Sequence, residues 1–206
     1  MARVTPVSAP EGYPGAPDTE TQKNLTDLFT YLFPDGNIGA PHAGYGILAH
    51  SPKLALSIAK MSDCILGDIE WTQRRDLREL SVQTLNLHFH CDFSFHAHLP
   101  LAQLSGISLE QQAALPYWRT SHLFDEEQRL VIEYTMACVA GDVPADLFAR
   151  VVERYGEKGA VEFTVTVGWW SLWAMLLNAV RPDFKPDRAQ PLPKDSRELE
   201  SFTSPE

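Results

Sequence analysis

The chain has 206 residues, 44% hydrophobic and 21% charged, a length and composition that suit one globular domain with a real core. Its 27 acidic residues against 17 basic ones leave a net charge of −10, which argues against nucleic acid or an anionic membrane as partner, since both select basic surface. Cys64, Cys91 and Cys138 are odd in number and widely spaced. They make no disulfide framework and suggest a reducing, cytoplasmic setting, and residues 1–15 lack the apolar run of a signal peptide.

In chain order, residues 1–18 are rich in Pro, Gly and Ala and predict a flexible arm, disordered or lying along a neighbouring subunit. Asp18 or Thr19 can cap a helix carrying Leu25, Leu28, Phe29 and Leu32, ended by Pro34, Gly36 and Gly39. Residues 41–46 read as a loop or short helical turn. Ser51 and Pro52 open a helix through Leu66, stopped by Gly67. Thr72 is expected to cap the next helix, where Arg75 and Glu79 stand four apart and can pair.

Residues 74–107 hold four of the seven histidines (His88, His90, His96, His98), Cys91 and Glu79, the materials of nucleophilic, acid–base or metal chemistry. On one unbroken helix Glu79 and Cys91, twelve residues apart, would lie about 18 Å and roughly 120° from each other. They share a site only if the chain breaks between them, and 86–90 is a suitable place because Asn and His are poor helix formers. Cys91 would then stand near a helix N-terminus, where a thiolate is favoured. Cys91, Ser94 and His98 fall within roughly 60° on that second helix, as one polar stripe. Pro100 should kink it.

Ser108 with Glu110 and Gln111 starts a further segment. A helix from Asp125 or Glu126 runs through Ala140, residues 141–144 stop and restart the chain, and 145–155 is amphipathic. Gly156 and Gly159 then break it. Residues 160–180 alternate at Val161, Phe163, Val165 and Val167, which alone reads as a strand. They also have the length of a membrane span, but Glu162, Thr164, Thr166, Ser171 and Asn178 interrupt them and neither flank is cationic. A core helix, or one buried between subunits, suits the three tryptophans better. Residues 183–206 predict a Pro-rich, charged, mobile tail.

His98 is the strongest acid–base candidate, and a satisfied structural histidine is its bland counterpart. Cys91 is a reactive thiol or an inert core residue. Ser94 lines the site, His88 can touch substrate, and one of His88, His90 and His96 can shuttle a proton. Arg75 and Arg78 can hold an anionic substrate. The alternating histidines suggest metal, but residues two apart on a helix point about 160° from each other, so no metal site is expected.

Glu79, Cys91 twelve residues on, a short residue at +3 and His98 at +7 together resemble the carboxymuconolactone decarboxylase family, which includes the AhpD-type alkylhydroperoxidases. AHSPKLALSIAKMSDCIL (49–66), RRDLREL (74–80), HLPLAQLSGIS (98–108) and GAVEFTVTVGWWSLWAMLLNAV (159–180) resemble further family segments, in order, over roughly 40–180. The resemblance implies an all-α, AhpD-like helical bundle over 19–182, with 160–180 as a helix. It implies a homo-oligomer of three or six copies and no cofactor. It puts His98, Glu79 and Cys91 in catalytic roles and Ser94, His88, Arg75 and Arg78 against a small-molecule substrate. The peroxidase branch is similar to Cys-x-His-Cys-x-x-x-His, whereas this chain has Cys91, Phe93, Ser94 and His98. With serine at the second cysteine position the motif cannot close its own disulfide. The resemblance therefore implies cofactor-independent acid–base chemistry on a small carboxylated or lactone-like molecule. A one-cysteine thiol peroxidase and a non-catalytic small-molecule-binding protein are the alternatives.

Overall fold

The computed structural model describes residues 2–38 and 43–182; Gly39, Pro41 and the tail expected over 183–206 lie outside the described residues. The elements are α1 (Thr19–Leu32), α2 (Ala43–Leu48), α3 (Pro52–Asp63), α4 (Arg75–His88), α5 (Asp92–Leu104), α6 (Leu109–Ala114), α7 (Glu126–Ala140) and α8 (Ala145–Val180). No strand occurs among the described residues, so the class is all-α. The residues gather into two compact units, 2–68 with 179–182, and Ile69–Asn178.

In the first unit, Asp18 caps α1 by accepting the Thr21 amide at 2.7 Å. The Leu25, Leu28 and Phe29 face of α1 is fully buried and packs with α3, whose buried Ala55 and Ala59 are small enough for close approach. Ser51 is the N-cap of α3, with Pro52 in its first turn, and the helix passes into a π-helical turn, Cys64–Asp68. The arm expected to be flexible is tied along this unit. Val7 is 1% exposed, its amide donates to the Gly46 carbonyl at 2.8 Å and the Arg3 amide to the Val180 carbonyl at 2.9 Å. The His50 ring bonds the Thr5 carbonyl at 2.9 Å.

The second unit is built around α4. Every residue from Leu77 to Asn86 except Arg78 is buried, because α5 packs on one side of this helix and α7 on another. Leu77 and Leu80 join a core with Ile107, Val131, Ile132, Phe163 and Val167. Thr72 does not cap α4. It sits in a preceding 3-10 turn, Trp71–Gln73, with its hydroxyl on the Ile69 carbonyl at 2.7 Å, and Arg74 is the N-cap. Downstream, α6 and α7 both begin with a capping box, Ser108 with Gln111 and Asp125 with Gln128. Gly141 ends α7 in the left-handed conformation.

Residues 160–180 are helical; the alternating valines do not form a strand. A helix puts Ala160, Phe163, Val167, Trp170, Ala174 and Leu177 on one buried face. By length and composition α8 could cross a membrane, yet Ala160, Phe163 and Val167 of that face pack into the core of its unit. Gly156 breaks α8 with φ 72° and ψ 171°, a conformation essentially confined to glycine. A Cβ at this position would meet nothing within 4 Å, so strain in Gly156→Ala comes from the backbone alone. We expect that substitution to cost about 1–3 kcal/mol, read as a lower urea midpoint; an unchanged midpoint would show that the break is not fixed.

Candidate active site

The break foreseen between Glu79 and Cys91 is a tight turn. Helix α4 stops at His88, Phe89 is its C-cap, and His90 takes φ 50°, a left-handed conformation that histidine tolerates better than most residues. Cys91 is the N-cap of α5, and its amide donates to the Asn86 carbonyl at 2.9 Å. Asn178 of α8 ties the turn by donating to the Phe89 carbonyl at 2.7 Å. With the chain reversed here, α5 runs back along α4, and His98 arrives beside Glu79.

His98 Nδ1 lies 2.7 Å from Glu79 Oε2. The other carboxylate oxygen, Oε1, accepts from Arg78 Nε at 3.0 Å and Nη2 at 2.9 Å. Glu79 is 1% exposed, so both oxygens must find their partners inside the protein. Burial pushes its carboxyl up, but the hydrogen bond and charge of His98, with the Arg78 guanidinium, outweigh that and hold it below its ordinary value of 4.5. The carboxylate is therefore ionised, and Nδ1–H of His98 is the donor between them. His98 keeps 18% side-chain exposure, and the Trp170 indole meets its ring nearly edge-on at 6.4 Å.

Deeper in the seam between α4 and α5, three buried amides hold the helices together. Gln83 Nε2 donates to the Phe95 carbonyl at 3.1 Å and to Gln112 Oε1 at 2.7 Å. Gln112 Nε2 reaches the Ile107 carbonyl at 3.2 Å and the Leu99 carbonyl at 3.4 Å. Asn86 Nδ2 donates to Gln83 Oε1 at 3.2 Å. These contacts grip α5 close to Pro100, which lies inside the helix and has no N–H to give. The side chain of His98 is thus carried on a segment clamped from α4 and α6.

Not every residue singled out from the sequence reaches this pair. Arg75 is exposed, and Arg78 rather than Arg75 binds Glu79, because adjacent placement lets a long guanidinium fold back onto the carboxylate. His88 is exposed and packs on Phe89; nine residues along the helix from Glu79 is about 14 Å. Ser94 is buried on α5. Cys91 is fully buried. The helix N-terminus was expected to favour its thiolate, but burial pushes the thiol up and the Ser94 amide offsets only part of that. All three cysteines are free. Among the described residues no group of three His, Cys, Asp or Glu forms a candidate metal site. Sequence reasoning missed Gln83, Asn86, Gln112 and Trp170. The only signal was polar residues four and seven positions after Glu79, on a helix that proves to be buried all round.

An all-α unit in which a helical hairpin sets a buried glutamate against a histidine seven residues past a cysteine has the AhpD-like fold, shared by carboxymuconolactone decarboxylase-like proteins. No family model matches the sequence, and neither does any curated protein. Solved structures of similar fold include the following three. A protein of unknown function from Agrobacterium tumefaciens, described as a candidate antioxidant defence protein AhpD, shares 18% identity over 67% of this chain and 94% of its own, with a TM-score of 0.57. The debrominase Bmp8, with one cysteine changed to alanine and in complex with 2,3,4-tribromopyrrole, shares 12% identity over 90% of this chain and 94% of its own, with a TM-score of 0.62. The apo debrominase shares 13% over 82% and 90%, with a TM-score of 0.56. Identities this low establish the common fold.

Because the Glu79 carboxyl is held below 4.5 in the folded chain, its contribution to stability is complete above that value and is lost as pH falls through the lower folded value. Glu79→Gln should cost about 1–3 kcal/mol at neutral pH, measured by urea unfolding. The gap from the parent protein should narrow below pH 4.5. A gap that stays constant down to the acid limit would mean that the carboxylate charge is not what the site uses.

Proposed function

We propose that this protein is a cofactor-independent acid–base enzyme acting on a small carboxylated or lactone-like substrate, with His98 as the group that moves the proton. The observation that carries the reading is a part-exposed imidazole whose Nδ1 is bonded at 2.7 Å to a buried carboxylate. That bond leaves Nε2 with a lone pair, and the carboxylate stabilises the imidazolium formed when Nε2 takes a proton. Glu79, with both oxygens engaged, orients and balances His98 and does not itself meet substrate.

In an isomerisation, Nε2 removes a proton from the carbon next to a carbonyl. The electron pair moves into the carbonyl, and the imidazolium returns the proton at a conjugated carbon. In a decarboxylation, the bond to the carboxylate carbon breaks, carbon dioxide leaves, and the pair enters the conjugated carbonyl. A protonated His98 then delivers the proton to carbon. Arg75, a solvent-facing cation one turn before Glu79, is suited to the substrate carboxylate, and Ser94 to a polar group within the site. A panel of lactones and unsaturated keto acids incubated in deuterium oxide gives a direct test. Conversion or deuterium uptake next to the carbonyl should fall 10²–10⁴-fold in His98→Ala, the range of general acid–base catalysis, with circular dichroism unchanged. Equal uptake by the variant would remove His98 from this role.

The second reading is one-cysteine chemistry at Cys91, favoured by likeness to a debrominase structure that carries a cysteine-to-alanine change. The buried, protonated thiol speaks against it. After mild peroxide treatment, mass spectrometry should find Cys91 as the free thiol. A sulfenate there, with peroxide turnover, would overturn the acid–base reading in favour of this one.

A further inference from the structure

Arginine 78 was expected from the sequence to hold an anionic substrate, yet its donors face inward. Nε and Nη2 both bind Glu79 Oε1, and Nη1 donates to the Thr72 carbonyl at 3.3 Å. Neighbours in sequence diverge by about 100° on a helix, so this pairing requires the guanidinium to curl over its own carboxylate. The side chain is only 14% exposed. The outcome is a division of the carboxylate: Oε1 belongs to Arg78 and Oε2 to His98.

That division matters for where the proton sits. A carboxylate at Oε2 accepts from Nδ1–H and leaves Nε2 bare. With one more proton on the pair, a carboxylic acid would instead donate to Nδ1, leaving the ring hydrogen on Nε2 and no base there. Desolvation alone favours the acid in so buried a place, and a guanidinium in contact opposes it. We propose that Arg78 is a positioning residue that fixes Glu79 as the carboxylate that accepts from Nδ1–H of His98, and so leaves the base free at Nε2. The purpose of this arrangement rests on the acid–base reading above.

The charged and titratable groups bearing on Glu79 are His98 from α5 and Arg78 from α4. Helix α7 meets α4 through the neutral Ser81–Thr135 hydroxyl pair, 2.8 Å apart. At the start of α4 it also meets the Arg74–Glu127 ion pair, 3.4 Å apart and joined by Asp76 and Arg154. Helix α6 offers the Gln112 amide, and α8 sets the Trp170 indole against His98.

The test uses the full chain labelled with ¹⁵N in histidine, read by long-range ¹H–¹⁵N spectra across pH. The unmodified protein should show His98 as the Nδ1–H tautomer once the pair holds a single proton. Removing the cation in Arg78→Met, or in Arg78→Gln, which can still donate to Oε1, should raise the midpoint of proton uptake by the Glu79–His98 pair by about one pH unit or more, the size of effect a contacting charge exerts. At a pH where the unmodified pair holds one proton, the variant's pair should then hold two, with hydrogen on Nε2. Arg78→Lys should restore the midpoint. A folded neutral variant with the original midpoint and tautomer would overturn the proposal. So would an Nε2–H tautomer in the unmodified protein, a result that needs no variant to fold. None of these readouts depends on turnover, so they separate failure of this proposal from failure of the proposed function.

Discussion

A negative charge in the middle of a buried helix is the constraint on which the second unit depends. Glu79 occupies a helix with protein on every side, and an unpaired carboxylate there would cost several kcal/mol. It is tolerable because a guanidinium takes one oxygen and an imidazole the other, within a hydrogen bond's reach. For the imidazole to arrive, the chain must reverse within a few residues of Asn86 and run back antiparallel. The turn at Phe89 and His90, the bond from Asn178 and the N-cap at Cys91 are the local means of that reversal.

The same demand extends along the seam. Polar side chains on a helix buried all round must seek their partners inside the protein. Gln83, on the same side as Glu79, donates to the Phe95 carbonyl of α5 and to the Gln112 side-chain oxygen, and Asn86 Nδ2 donates to Gln83 Oε1. Amides fix direction as well as distance, since each donates from nitrogen and accepts at oxygen. They hold α5 on both sides of His98 and close to its proline. Polar bonds between core helices are directional, so they define where the imidazole-bearing segment stands more narrowly than apolar packing does.

Burial also sorts the two candidate chemistries. The thiol at Cys91 and the imidazole at His98 lie on one helix, seven residues apart. Desolvation penalises the charged form of whichever group it encloses. It encloses Cys91 completely and has no nearby cation to answer it, so the thiol stays protonated. It encloses His98 only in part and supplies a carboxylate. The two groups thus meet opposite environments on one helix, which is the contrast that the proposed acid–base reading uses.

Most of the helices, the reversal before Cys91 and helix starts at Asp18 or Thr19, at Ser108 and at Asp125 or Glu126 were legible in the sequence, because each rests on contacts within a few residues; the all-α class was implied by the family resemblance. So were Glu79 and His98 as partners, through a spacing that resembles a known family. The role of Thr72, the partner of Glu79, the strand-like reading of 160–167 and the fate of the arm were not. Arg75 at four residues is the better helical neighbour of Glu79 by local rules, and only the packing that buries Glu79 makes the adjacent Arg78 its partner. The state of Cys91 shows the same divide: helix position says thiolate, and enclosure by the core says thiol. Periodicity and capping are local and sequence carries them, whereas charge state and the choice among polar partners follow from how much water the assembled helices exclude, and that is fixed only in three dimensions.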